Sequence, residues 1–137
     1  MFGILAAESP NGSWLLDEDG LLQEDRLAAI AGGADPVTLF GTALALLQLI
    51  ESMPEPLPLP AGSWIFQTGG YKGRRRDTEA GEFHALLEDA FHVPSGRIIN
   101  EYGMTELSSQ SYAIGPDTPH RTPPWMRVRV IDPGTGA

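Results

Sequence analysis

Cysteine is absent from the 137 residues. That excludes disulfides, thiolate metal sites and a cysteine nucleophile supplied by this chain, and it fits a cytoplasmic location. Long apolar runs are absent as well. The longest stretch, Val37 to Ile50, is broken by Thr38, Gly41, Thr42 and Gln48, whereas a bilayer-spanning helix needs about 20 apolar residues. No membrane span is expected. No basic region followed by an apolar core opens the chain, so no signal peptide is expected. Positive charge is scarce: 9 Lys and Arg stand against 18 Asp and Glu, for a net charge of −9. A nucleic-acid partner is not expected, because such proteins bind by neutralising phosphates and carry the opposite balance. An anionic ligand has to be held by placed groups rather than by the overall field. His84, His92 and His120 have no metal-ligand spacing, and no Ser-His-Asp order can be argued. None of the three is assigned a catalytic role.

What the chain does have is an ordinary hydrophobic fraction of 42%, enough for one domain with a real core. Phe2 to Ala6 predicts a strand. Leu21, Leu22, Leu27 and Ile30 recur at helical spacing, which predicts a helix over 17–31 ended by Gly32 and Gly33. Val37 to Phe40 predicts a strand. A helix opened at Gly41-Thr42 should run to Met53, with Leu44, Leu47 and Ile50 on one side. Pro54, Pro56, Pro58 and Pro60 predict an extended linker. Trp64 to Gln67 and Arg97 to Ile99 read as strands. They flank a helix over 78–91 whose face carries Phe83, Leu86, Leu87 and Ala90. This alternation argues for an α/β fold with a parallel sheet and flanking helices. Beyond Gln110 the chain turns loop-like. Met126 to Ile131 alternates apolar residues with Arg127 and Arg129, which predicts an antiparallel hairpin strand. Asp132-Pro133-Gly134-Thr135-Gly136 predicts the turn that follows it. An unfinished hairpin leads to the expectation that the chain is a piece of a longer protein.

Two glycine-bearing segments carry the chemistry. Gln67-Thr68-Gly69-Gly70-Tyr71-Lys72-Gly73-Arg74 and Asn100-Glu101-Tyr102-Gly103-Met104-Thr105-Glu106 each follow a predicted strand. In open parallel sheets, ligands bind beyond the carboxyl ends of the strands. Gly69 and Gly70 let a flat ring or a phosphate approach the backbone, or simply make a turn. The Thr105 hydroxyl suits a phosphate oxygen, and the Glu106 carboxylate suits Mg²⁺, a hard cation that prefers oxygen. Equally, Thr105 suits the cap of a short helix with Glu106 in its first turn. Tyr102 offers a flat face to a base. Lys72, Arg74, Arg75 and Arg76 fit an anion or a solvated basic loop.

Tyr102-Gly103-Met104-Thr105-Glu106 resembles the signature of the adenylate-forming superfamily. Three segments together resemble its acyl-protein synthetase family, which includes the fatty-acid-activating subunit of the bacterial bioluminescence reductase complex. They are Leu39-Phe40-Gly41-Thr42, Trp64 to Arg74, and Ile98 to Gln110. The resemblance runs over roughly residues 37–133. It implies that 1–137 is a central part of an adenylation domain, with a βα core over 17–113 and a loop with the start of a hairpin over 114–137. It implies ATP and Mg²⁺ as cofactors. A long-chain fatty acid or other carboxylic acid would be activated to an acyl-adenylate, then passed to a thiol on a protein. An acyl-accepting or reductase protein would be the partner. By the same resemblance Gly69 and Gly70 lie against adenine, Tyr102 stacks on it, and Gly103 belongs with them to the nucleotide-binding residues. Thr105 holds the α-phosphate, Glu106 holds Mg²⁺, and Gly41 and Thr42 line the acyl pocket. Other features of that superfamily have no counterpart: the phosphate loop with its lysine, the ribose-binding aspartate and the lid with its catalytic lysine. Two alternatives stay open, namely an acid–coenzyme A ligase of the same superfamily and an inactive nucleotide-binding or scaffold remnant. The isolated 137 residues are expected to be inactive in the full reaction.

Overall fold

A computed structural model describes residues 14–17, 19, 21–69, 80–103 and 109–136. In chain order these hold helix α1 (Glu24–Ala31), strand β1 (Thr38–Thr42), helix α2 (Ala43–Ser52) and strand β2 (Trp64–Thr68). There follow helix α3 (Ala80–Phe91), a 3₁₀ turn (Ser95–Arg97), strand β3 (Ile98–Tyr102) and strand β4 (Ser111–Ile114). The sheet has the order β1-β2-β3-β4. Its first three strands are parallel, with Leu39 opposite Ile65 and Ile65 opposite Ile98; β4 runs antiparallel to β3, with Tyr102 opposite Ser111. The fold is therefore α/β with a mixed four-stranded sheet and flanking helices.

The direction of the crossovers decides where the core sits. Both βαβ units step the same way across the sheet, and such crossovers are right-handed. Their helices therefore fall on one face. The core joins Ala43, Leu46, Leu47 and Leu49 of α2 to Phe83, Leu87, Ala90 and Phe91 of α3, over Ile65 and Ile98 of the sheet. Ile65, Leu87, Phe91 and Ile98 are fully buried, and each contributes about 1.5–3 kcal/mol by leaving water. By strand alternation, the opposite face carries Phe40, Phe66, Ile99, Tyr112 and Ile114. Its rings touch in series, with centroids 5.1 Å apart for Phe40–Phe66 and 6.0 Å for Phe66–Tyr112. Phe40, Tyr112 and Ile114 remain exposed.

The alternating prolines do more than span a gap. Between them Leu57 donates its N–H to the Ala90 carbonyl at 2.7 Å, and Leu59 donates to the Phe91 carbonyl at 2.9 Å. A helix end leaves its last carbonyls without partners, and here the extended linker supplies donors to α3. Proline has no N–H, so only the residues between prolines serve. Next to this join, His92 adopts a left-handed φ of 52°, and its N–H bonds the Glu88 carbonyl at 2.8 Å. Glycine is the usual residue at such a helix end.

Several sequence expectations need correcting. The first helix begins at Glu24, not Asp17. The Asp17 carboxylate accepts the N–H groups of Asp19 and Leu21, at 3.0 and 2.8 Å. That local turn competes with helix, as short polar side chains do, and Leu21 and Leu22 lie outside α1. In α2 the buried stripe is Ala43, Leu46, Leu47 and Leu49 rather than Leu44, Leu47 and Ile50. Leu86 of α3 points outward while His84 is buried. The antiparallel strand is Ser111–Ile114, which the sequence did not reveal, whereas Met126 to Ile131 forms no strand. The alternation there is genuine, but a strand requires a partner backbone, and no described residue supplies one; Val130 is 90% exposed. The turn after it is as expected: Asp132 Oδ1 accepts from the N–H of Gly134 at 2.6 Å and of Thr135 at 3.2 Å. The predicted strand Phe2 to Ala6 and the helix start at Thr78 lie outside the described residues. No helix among the described residues is long and apolar enough to cross a membrane.

Candidate functional site

The parallel strands β1, β2 and β3 end side by side at Thr42, Thr68 and Tyr102. The Thr42 hydroxyl is committed to capping α2, accepting from the Ala45 N–H at 3.1 Å. Gly41 lies beneath the same helix, where a Cβ would come 2.8 Å from Leu46 Cγ. Both residues proposed for an acyl pocket thus have structural work at the β1–α2 join.

The two glycine-bearing strand ends are neighbours, as the spacing implied. Their glycines are needed for different reasons. Gly69 has a left-handed φ of 67°, and no described residue lies within 4 Å of where its Cβ would be. Its requirement is conformational. Gly103 is a matter of room: a Cβ would lie 2.6 Å from Glu101 Oε1 and 3.0 Å from Gln110 Cγ. Glu101 is buried and accepts a hydrogen bond from the Thr68 hydroxyl, so its carboxylate yields only by breaking that bond. Gly103→Ala is expected to destabilise the fold by about 1–3 kcal/mol, read from the shift of the urea midpoint. The Tyr102 ring stands half exposed beside Gly103. Gly70, Thr105 and Glu106 lie outside the described residues.

A second set of polar groups, to which the sequence assigned no role, meets at this edge. Gln67 on β2 is buried, and its Nε2 donates to the Gly69 carbonyl at 2.7 Å. Asn100 on β3 lies opposite Gln67 and donates from Nδ2 to Gln67 Oε1 at 2.6 Å. Asn100 Oδ1 meets His120 Nε2 at 3.0 Å. The His120 ring also packs edge-on with Tyr102, with centroids 6.0 Å apart and planes at 67°. Its position is pinned by the next residue: Arg121 exchanges backbone hydrogen bonds with Tyr112 of β4, at 2.8 and 3.2 Å. Polar residues ending apolar strands, Gln67 after Ile65-Phe66 and Asn100 after Ile98-Ile99, were a usable signal. His120 was not, because only tertiary folding brings it there. Nearby, the Trp125 indole N–H donates to the buried Ser109 hydroxyl at 3.0 Å.

His84 lies away from this edge, on α3. It is buried, and its Nδ1 has no hydrogen-bond partner among the described residues. Burial lowers its pKa below the ordinary 6.5, against the opposing pull of Glu88 and Asp117. The unfolded chain therefore takes up this proton first as pH falls. The resulting stability is complete above pH 6.5 and is lost as pH drops from there toward the lower folded value. His84→Leu should remove this part of the acid sensitivity, measured as the fall in melting temperature between pH 7 and pH 5.

Among the described residues no group of three His, Asp or Glu side chains is placed to hold a metal ion. Glu101, the described carboxylate at the edge, is buried and engaged by Thr68. The oxygen donors expected from the sequence for Mg²⁺, those of Thr105 and Glu106, lie outside the described residues. Compared with known proteins, the chain matches no family model, no curated protein and no solved structure.

Proposed function

We propose that this chain carries the nucleotide-facing part of an adenylate-forming site of the acyl-protein synthetase type. A long-chain carboxylic acid is activated by ATP to an acyl-adenylate, with release of pyrophosphate. The acyl group then passes to a thiol. The observation that carries this reading is the pairing of two strand ends. Among the described residues nothing lies within 4 Å of where a Gly69 side chain would begin at the carboxyl end of β2, and the half-exposed Tyr102 ring stands at the adjacent end of β3. That arrangement accommodates a flat base beside backbone that a phosphate can approach, at the edge where parallel sheets bind ligands.

In this reading Tyr102 supplies the stacking face, and Gly69 and Gly70 admit the adenine. Thr105 donates its hydroxyl to the α-phosphate, and Glu106 holds Mg²⁺. Bound there, Mg²⁺ would offset the negative charge that develops on the phosphate oxygens. The chain's net charge of −9 repels a polyanion, so affinity has to come from these placed groups and from the basic run Lys72 to Arg76. The test is fatty-acid-dependent ATP–pyrophosphate exchange in the full-length protein, comparing it with its Thr105→Ala and Glu106→Ala variants.

A further inference from the structure

The hydrogen bonds joining Gly69, Gln67, Asn100 and His120 have a direction that the backbone dictates. A carbonyl oxygen only accepts. The Gly69 carbonyl therefore requires the donor side of the Gln67 amide, which turns Gln67 Oε1 toward Asn100. That oxygen requires the Asn100 Nδ2 donor, which turns Asn100 Oδ1 toward His120. The last acceptor requires His120 Nε2 to carry a hydrogen. One main-chain carbonyl thus settles, through two side-chain amides on neighbouring strands, which nitrogen of an imidazole three groups away is protonated.

The neutral ring is left with its lone pair on Nδ1. No described residue hydrogen-bonds that nitrogen. The ring is exposed, yet it is held on two sides: by Asn100 at 3.0 Å and by the Tyr102 ring at 67°. An imidazole whose Nε2–H is held by an asparagine carbonyl while Nδ1 keeps its lone pair is the arrangement by which Cys-His-Asn hydrolases ready a base for a thiol. This chain has no cysteine, so the thiol comes from outside these 137 residues.

We propose that His120 is the general base for the acyl-transfer half of the reaction, with Gln67 and Asn100 as its positioning residues. The inference rests on the acyl-adenylate reading above. His120 Nδ1 takes the proton of the incoming thiol as sulfur attacks the acyl carbon. The C–S bond forms, the bond from the acyl carbon to the phosphate oxygen breaks, and that electron pair leaves with AMP. The proton on Nδ1 is then released to water. Adenylate formation needs no such base, because the attacking carboxylate is already ionised.

The two halves can be assayed apart. Preformed acyl-adenylate and a small alkyl thiol are supplied to the full-length protein, and thioester formation is followed; pyrophosphate exchange is measured separately. His120→Ala should slow thioester formation roughly 100-fold, respond to added imidazole, and lower exchange far less. Asn100→Ala should slow transfer less. By ¹⁵N NMR the wild-type ring should carry its neutral hydrogen on Nε2, and in Asn100→Ala that preference should weaken. Transfer at the wild-type rate in His120→Ala overturns the proposal. So does an equal loss of exchange and transfer, a wild-type protein that does not speed thiolysis of the supplied adenylate, or an Nδ1–H tautomer. Absence of pyrophosphate exchange in the full-length wild-type protein would instead remove the adenylation reading, while the supplied-adenylate assay still judges His120.

Discussion

Phe91→Ala should cost about 3–5 kcal/mol of folding stability, the range for removing a buried aromatic ring from a packed core. Phe91 is fully buried where α3 ends, and its carbonyl receives the N–H of Leu59 from the proline-spaced linker. The truncation therefore leaves a cavity at a junction of α3, the linker and the sheet, where Leu59, Val93 and Ile98 are also buried. A domain typically has only about 5–15 kcal/mol to lose, so a fall in melting temperature on the order of 10 °C is expected. Leu86→Ala, on the same helix but 40% exposed, is the control. It should cost under about 1 kcal/mol, and equal losses at the two positions in urea titrations would contradict the packing described.

In the proposed adenylation, Thr105→Ala and Glu106→Ala should each lower pyrophosphate exchange by about 10²-fold, or roughly 3 kcal/mol in the barrier, which is typical for removing one positioned group that stabilises transition-state charge. The two differ in cause. Thr105→Ala deletes a donor to the α-phosphate, so the loss should persist at saturating Mg²⁺. Glu106→Ala weakens retention of the cation, so raising Mg²⁺ should recover part of the rate. Both variants should melt within a few degrees of the parent. Near wild-type exchange in both would sink the assignment.

Much of the scaffold was legible because its signals are local. Ile65, Leu87 and Ile98 lie in elements whose apolar content and spacing announced them, and Gly32-Gly33, the prolines and Asp132 punctuated the chain where expected. The errors arose where a local pattern was read without its surroundings. Asp17 folds back on its own backbone rather than starting a helix. Met126 to Ile131 has strand-like alternation but no described partner. Ser111 to Ile114, with its polar start and small Ala113, is a strand because β3 offers it an unpaired edge. For the candidate site, the strand-end glycines could be found from sequence, since a glycine after an apolar run marks a turn. The Gln67–Asn100–His120 chain could not, because it depends on the register of two strands and on a loop returning from twenty residues beyond.

The strand order also bears on how the sheet is assembled. Every described strand lies beside its neighbour in the chain, so none of these four must wait for a distant one to be inserted between others. Folding can proceed as growth from a β1–α2–β2 nucleus, with β3 and then β4 added at one advancing side. Each addition closes only a modest loop, which keeps the entropic barrier low. The same logic runs backward in partial opening. β4 can detach without disturbing β1 or β2, and because β4 anchors Arg121, such an opening would release His120 while the strand ends at Gly69 and Tyr102 stay in place.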